Sequence, residues 1–241
     1  MVANRSCFFL DTAARSDKGP YWARDNAFRA ALKAVLLLGS LLFTWVLLFA
    51  EGVSPPVVGY DDKRRRSAAL TGCAMFAVRL LWQMGWLWHR RITWAEVFAE
   101  AGMIIPASLG SLAWGATRKR SDAFGALDVL GCAVFLVGTA VNIISEHQRY
   151  VFKAEARNAG KLFAKGLWRL ARHINYGGEI LSFVGMAMVC GTWNLWIPFC
   201  MGLGMCLFSV PELDHYLAVR YGPQWDRYVR QVRWNVAPYV W

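Results

Sequence analysis

Charge is scarce in this chain of 241 residues. Asp, Glu, Lys and Arg make up 18% of it, against about 25% in an ordinary soluble domain. With 56% apolar residues and 15% aromatics, the composition argues for a membrane protein. Cysteine pairs spaced for metal or redox chemistry are also missing. The six cysteines contain no Cys-x-x-Cys, and five of them (Cys73, Cys132, Cys190, Cys200 and Cys206) lie in apolar runs. They read as small hydrophobes, with no disulfide framework and no metal site expected. There is no GxGxxG, P-loop, GxSxG or HExxH, so a nucleotide cofactor would be held without a Rossmann domain. Zinc-finger, helix-turn-helix and RNP signatures are absent too, and no nucleic-acid partner is expected despite a net charge of +11. The apolar core of the N-terminus, Phe8-Phe9-Leu10, is too short for a secretory signal peptide.

What the chain does have is long apolar stretches separated by short basic runs, "DDKRRR", "HRR" and "RKR". Such runs read as membrane-flanking charge in contact with phosphate headgroups. A spanning helix needs roughly 20 apolar residues, and Ala27–Ala50, Ser67–Trp88, Trp94–Ala116 and Ala123–Ser145 qualify. A fifth region, Ile180–Val210, is too long for one span and is interrupted by "GTWNLWIP", whose Gly, Asn and Pro favour a turn. The expected fold is therefore all-α: a polytopic membrane helix bundle of about six segments, ending in a helical hairpin. The expected layout is an N-terminal segment over 1–26, membrane helices forming a substrate side over 27–145, and a cofactor-binding region over 146–241. Lys and Arg concentrate on the side of the termini, with seven between Glu146 and Glu179 and four after Val210. The positive-inside rule places that side in the cytosol.

Three blocks carry chemistry. In "NIISEHQRYVFK", Asn142, Glu146, Arg149 and Lys153 recur at helical spacing on one face. Asn142 and Glu146 are polar near the lipid boundary, where polar groups usually face protein or a wet cavity. In "AGKLFAKGLWRLARHINYGGE", Lys161, Lys165, Arg169 and Arg172 make a cationic surface suited to phosphate, and Gly177-Gly178 permit close backbone approach to a ligand. His173, Asn175, Tyr176 and Glu179 add hydrogen-bonding groups at the mouth of an apolar run. In the tail "PELDHYLAVRYGPQWDRYVRQVRWNVAPYVW", Glu212, Tyr216, Arg220 and Tyr221 are site candidates. The last residues read as an interfacial helix anchored by Trp and Tyr.

These blocks, in this order, resemble the C-terminal half of the membrane steroid 5-alpha-reductase superfamily, over Asn142–Trp241. The first is similar to the segment in which an Asn, an acidic residue and a basic residue contact NADPH. Asn142, Glu146 and Lys153 fall at those spacings. The second is similar to "GLWxxxRHPNYxGE", with Ile174 where the family has proline. The third resembles the "KYG-x-x-W-x-x-Y" end of the sterol reductases through Arg220, Tyr221, Gly222, Trp225 and Tyr228. The resemblance implies NADPH-dependent hydride transfer to a conjugated C=C bond of a steroid, sterol or isoprenoid-like lipid, in the endoplasmic reticulum with the cofactor site facing the cytosol. Asn175 and Glu179 would touch the cofactor, and Arg79, Glu96, Glu100 or Tyr60 would polarise a substrate carbonyl. Arg172, His173, Tyr176 and Gly178 equally fit the S-adenosylmethionine motif of isoprenylcysteine carboxyl methyltransferases. A non-catalytic sterol-binding scaffold is the third alternative.

Overall fold

The structure is a computed structural model, and it describes residues 24–50, 63–87, 92–117 and 123–240. Every regular element among them is helical. The chain divides into two compact units. Residues 136–182 and 198–240 belong to one; the described part of 24–135, with 183–197, belongs to the other.

The second of these units begins with α1, Arg24–Phe49. Its apolar length suits a membrane span, and its hydroxyls fold back on the helix: Ser40 Oγ donates to Leu36 O at 2.7 Å and Thr44 Oγ1 to Ser40 O at 2.8 Å. Lys33, within the span, is fully buried and its ammonium meets Glu100 Oε2 at 2.9 Å. Helix α2, Lys63–Trp82, continues as a π-helical turn to Leu87. Arg65 was expected among headgroup-facing charges, and the structure corrects this. Its guanidinium makes a buried two-pronged pair with Asp128, Nε to Oδ1 at 3.0 Å and Nη2 to Oδ2 at 2.9 Å. A planar fork matches a carboxylate in a way lysine does not, so Arg65 ties α2 to the start of the later helix α4.

The next helix opens with Thr93, whose hydroxyl accepts from Glu96 N at 3.1 Å while Glu96 Oε2 accepts from Thr93 N at 2.8 Å. This is a capping box. A nine-residue π-helix, Glu96–Ile104, then runs into α3, Ile105–Thr117. Pro106 follows two residues after the wide run. It lacks the N–H an α-turn would use and its ring crowds the preceding turn, which widening relieves. The same offset recurs in the final membrane helix, where Met205–Ser209 is π-helical and Pro211 follows.

Helix α4, Ala126–Ala154, and helix α5, Ile174–Cys190, pass from one unit into the other along their lengths. Gly131 and Gly138 on α4, and Gly178 and Gly185 on α5, are each seven residues apart, two helical turns. Within one unit a Cβ on Gly138 would lie 2.4 Å from Ser182 N, and one on Gly178 would lie 2.8 Å from Gly138 O. Within the other unit a Cβ on Gly185 would lie 2.5 Å from Gly131 O. Backbones touch at these positions, as small residues allow in membrane helices.

After α5 the chain turns at Gly191 and a 3-10 segment, Thr192–Leu195. Asn194 holds the turn: its buried amide donates to Gly191 O at 3.1 Å and accepts from Ser111 Oγ at 2.8 Å. The hairpin turn thus falls in "GTWNLWIP". Its second arm is longer than the sequence suggests, with α6 (Trp196–Gly204) and α7 (Val210–Tyr221) forming one helix with the π-turn between them. Helix α8, Pro223–Gln231, and an extended tail follow. Among the described residues four helices are long and apolar enough to cross a membrane: Asn26–Phe49, Glu96–Thr117, Ala126–Ala154 and Thr192–Tyr221. Ile174–Cys190 is apolar but shorter. With Lys63–Leu87 and Ile174–Cys190 they make six helical segments among the described residues, and charges at Lys63–Arg66 and Arg79 weaken the apolar character of α2.

Candidate functional site

The sequence-predicted residues of 142–179 converge within one unit. Asn142, buried on α4, donates through Nδ2 to the backbone carbonyl of Asn175 at 3.0 Å and to Glu179 Oε2 at 3.0 Å. One turn on, buried Glu146 accepts from Asn175 Nδ2 at 2.8 Å and from Arg149 Nη2 at 2.6 Å. Asn142, Glu146, Asn175 and Glu179 therefore form one hydrogen-bonded array across the glycine crossing. Because Asn175 Nδ2 donates to a carboxylate, its Oδ1 points away as an acceptor. That oxygen is buried and accepts no hydrogen bond among the described residues. Orphaned buried polar atoms are rare enough in native proteins to require a reason.

The Arg149 guanidinium also lies 5.7 Å from the centre of the Trp168 ring. Trp168 itself is fixed by its indole N–H on Ser145 O at 2.8 Å and by accepting, at its carbonyl, the Tyr228 hydroxyl at 2.6 Å. Lys153 donates to Tyr221 Oη at 2.9 Å and to the carbonyl of Lys161. Arg220 donates to the Tyr216 hydroxyl and lies 5.7 Å from the Tyr216 and Tyr221 ring centres. Lys153, Tyr216, Arg220 and Tyr221 thus form a second, more exposed cluster of cations on aromatic rings. Glu212 stands in the first turn of α7.

Arg172 and His173 have other partners. The Arg172 guanidinium donates to Val232 O at 2.8 Å and to the Asn235 side chain, while its backbone N–H donates to Trp234 O at 2.9 Å. His173, almost wholly buried, pairs its Nε2 with Asp214 Oδ1 at 2.6 Å and stacks on Tyr176 with ring centres 5.7 Å apart. These residues fasten the C-terminal tail and the base of α7 onto the start of α5. Gly177 lies under the tail: a Cβ there would sit 2.3 Å from Val236 O. The close approach expected of a ligand at Gly177-Gly178 is made instead by protein backbone, of Val236 on one glycine and of Asn142 and Gly138 on the other. Lys161, Lys165 and Arg169 are exposed, as a cationic surface requires.

The tail corrects another expectation. Trp225 and Tyr228 of α8 are buried with Val232, against Leu162, Ala164, Leu217 and Tyr221. They close the core of this unit rather than anchoring a helix in the interface. Burial raises the Tyr228 phenol above its ordinary value near 10, with the Asp214 carboxylate adding to the rise and Arg172 opposing it. The folded state therefore holds this proton more tightly than the unfolded chain. Its contribution is complete below about pH 10 and is lost as pH rises beyond that. Melting curves of wild type and Tyr228→Phe between pH 8 and 11.5 should show the wild type losing stability faster above pH 10; parallel curves would rule out the linkage.

The described residues expected to polarise a substrate, Arg79, Glu96 and Glu100, belong to the other unit. Tyr60 falls outside the described residues. Glu96 serves the capping box. Arg79 is buried, with its guanidinium 5.3 Å from the Phe76 ring centre. Sequence reasoning overlooked Asp214 as the partner of His173, Asn235 as the partner of Arg172, and Gln148, whose Oε1 accepts from Leu167 N at 3.0 Å. Their partners are 19 or more residues away in sequence, so no local pattern marks them.

An all-α, multi-pass membrane protein with a buried amide-carboxylate array is the class that the fold and these residues define. A family model described as "Protein of unknown function (DUF1295)" matches residues 79–232. The chain belongs to this family, which is part of the steroid 5-alpha-reductase family. It is 25% identical over 164 residues to the Delta(14)-sterol reductase of Arabidopsis thaliana, covering 63% of this chain and 44% of that protein. To the 7-dehydrocholesterol reductase of Danio rerio it is 28% identical over 88 residues, covering 35% and 18%. To the probable O-methyltransferase ustE of Ustilaginoidea virens it is 32% identical over 104 residues, covering 39% and 34%. The chain spans less than half the length of these relatives.

Proposed function

We propose that the protein is an NADPH-dependent membrane reductase acting on a conjugated C=C bond of a steroid, sterol or related lipid. The observation that carries this reading is the Asn142–Glu146–Asn175–Glu179 array with its buried, unsatisfied Asn175 Oδ1. An acceptor held rigidly by a carboxylate suits a ligand with an amide N–H₂, and a nicotinamide carries one. Asn175 and Glu179, both members of the array, are the residues by which the motif resembles the reductases rather than the methyltransferases. Lys153, Arg220 and the rings of Tyr216 and Tyr221 would hold the phosphates and ribose, and Arg149 would balance the Glu146 charge. Arg172 and His173 would keep the tail closed over this region, with Glu212 and Tyr176 at its edge. NADPH, when bound, supplies the hydride, and the chain's groups position it and exclude water. In this reading, 146–241 is the cofactor region and 27–145 the substrate side, with Arg79 the group most able to polarise a substrate. The site faces the cytosol, in the endoplasmic reticulum.

The likeness to an O-methyltransferase supports a second reading, S-adenosylmethionine-dependent methyl transfer. Titration of the purified full-length protein with both cofactors separates the two. NADPH should bind and S-adenosylmethionine should not; the reverse would sink the reductase. Sterol binding with neither cofactor would mark a scaffold. Lys153→Glu should weaken NADPH about tenfold more than NADH if Lys153 meets the 2′-phosphate, and equal losses would move the phosphate elsewhere.

A further inference from the structure

One peptide group in the segment between α4 and α5 is held by a different side chain on each edge. It joins Lys161 to Leu162. Its carbonyl accepts from the Lys153 ammonium, and its N–H donates to Gln224 Oε1 at 3.0 Å. A trans peptide is planar, with C=O and N–H on opposite edges. Gln224 and Lys153 therefore grip one rigid plate from its two sides. The Gln224 amide also reaches back through Nε2 to Gly160 O at 3.4 Å. A primary amide carries donor and acceptor together, so Gln224 brackets residue 161 as a neighbouring strand would. All of these groups belong to the same unit.

Other contacts of the segment do not fix that plane. Leu162 packs against the buried Trp225–Tyr228–Val232 cluster, and Phe163 meets Phe152 with ring centres 5.0 Å apart. Such contacts locate side chains and leave the peptide between them free to rock about its flanking dihedrals. Gly160, at φ +72°, adds freedom at the start of the segment. Gln224 stands on a firmer base, as the second residue of α8, between Pro223 and buried Trp225. Tyr221, whose hydroxyl is the other acceptor for Lys153 at 2.9 Å, lies three residues before it.

We infer that Gln224 is a positioning residue that sets a preference for a phosphorylated nucleotide, acting on Lys153 through the 161–162 peptide. A lysine ammonium has three N–H donors. Two go to Lys161 O and Tyr221 Oη, which leaves one for a ligand oxygen. The lysine stem is long and flexible, and ordering it costs side-chain entropy. Ordering it before the ligand arrives removes that cost from binding. This positioning rests on the assignment of Lys153 to the NADPH 2′-phosphate above and deepens it: Gln224 touches no part of the nucleotide, yet the distinction between NADPH and NADH depends on it.

The test uses full-length protein in detergent. Amide hydrogen exchange without cofactor reads the clip itself. The Leu162 N–H should be protected in the wild type and exchange faster in Gln224→Met, which keeps the side-chain length and removes both hydrogen bonds. Fast exchange at Leu162 in the wild type, or equal protection in the two proteins, would overturn the assignment. The wild-type measurement needs no variant, so a variant that fails to fold does not shield it. Titration then reads the consequence. Gln224→Met should weaken NADPH about fivefold, the weight of one ordinary hydrogen bond, and leave NADH nearly unchanged. In a Lys153→Met background the same substitution should no longer alter the ratio of NADPH to NADH affinity, since the residue it acts through is gone. A merely structural Gln224 would weaken both nucleotides alike in both backgrounds, and that result would also overturn the assignment. A wild type that binds no NADPH removes the reductase and this role of Gln224 together. Wild-type NADPH binding with an unaltered ratio in Gln224→Met removes Gln224 alone.

Discussion

Replacing Gly178 with alanine should cost the protein about 3 kcal/mol of stability, near the upper end for a small-to-large change in a packed interior. A Cβ at this position would lie 2.7 Å from Asn142 N and 2.8 Å from Gly138 O. Both are backbone atoms, so no side chain can rotate out of the way. The helices α4 and α5 must part by several tenths of an ångström, and the hydrogen bonds of Asn142 to Asn175 O and Glu179, which cross the same contact, lengthen with them. A melt followed by size-exclusion in detergent should show a drop of roughly 6–12 °C, taking 2–4 °C per kcal/mol for a chain of this size. Gly39→Ala is the control. Nothing lies within 4 Å of a Cβ there, and alanine is the better helix former, so its melting temperature should hold or rise. Similar losses in both variants would mean that the crossing is not the tight point.

Glu146→Ala should lower NADPH affinity by tens- to hundredfold, corresponding to about 2–3 kcal/mol for hydrogen bonds to a charged group. The carboxylate holds two partners at once, Asn175 Nδ2 at 2.8 Å and Arg149 Nη2 at 2.6 Å. Without it the Asn175 amide is free to rotate, and its Oδ1 no longer points where a ligand donor would meet it. Arg149, whose side chain is 46% exposed, swings into water and loses little. Glu146→Gln separates the two duties. Its carbonyl oxygen still accepts from Asn175, so affinity should fall less than in the alanine variant. Equal losses in both would show that charge, and not the orientation of Asn175, is what matters. A melting temperature unchanged alongside unchanged affinity would remove Glu146 from the site.

The sequence was a good guide to composition and local order. Apolar stretches of span length, a turn at "GTWNLWIP" and the face shared by Asn142, Glu146, Arg149 and Lys153 follow from hydropathy and the 3.6-residue period, both of which act along the chain. The capping box at Thr93 and Glu96 was equally local, yet Glu96 drew attention as a reacting group because a carboxylate looks alike in either role. Which cations stay at the surface was not decided by the sequence. Arg65 lies in a basic run but pairs with Asp128, 63 residues away; Arg172 resembles a phosphate ligand but binds carbonyls of the C-terminal tail. Only the tertiary fold determines whether a guanidinium finds a partner, since desolvation and pairing depend on what packs around it.

What the sequence alone determined is that this is an α-helical membrane protein with its hydrogen-bonding groups gathered between Asn142 and Tyr221, because burial in lipid permits few other patterns. What only the tertiary structure decided is how those groups divide. Asn142, Glu146, Asn175 and Glu179 join across a contact that glycines bring to backbone distance. His173 and Arg172 turn to the hairpin base and the tail. The same "RHINYGGE" thus supplies an amide of the buried array and a structural clasp, because consecutive residues at a helix start point to opposite neighbours and only packing shows which neighbour is there.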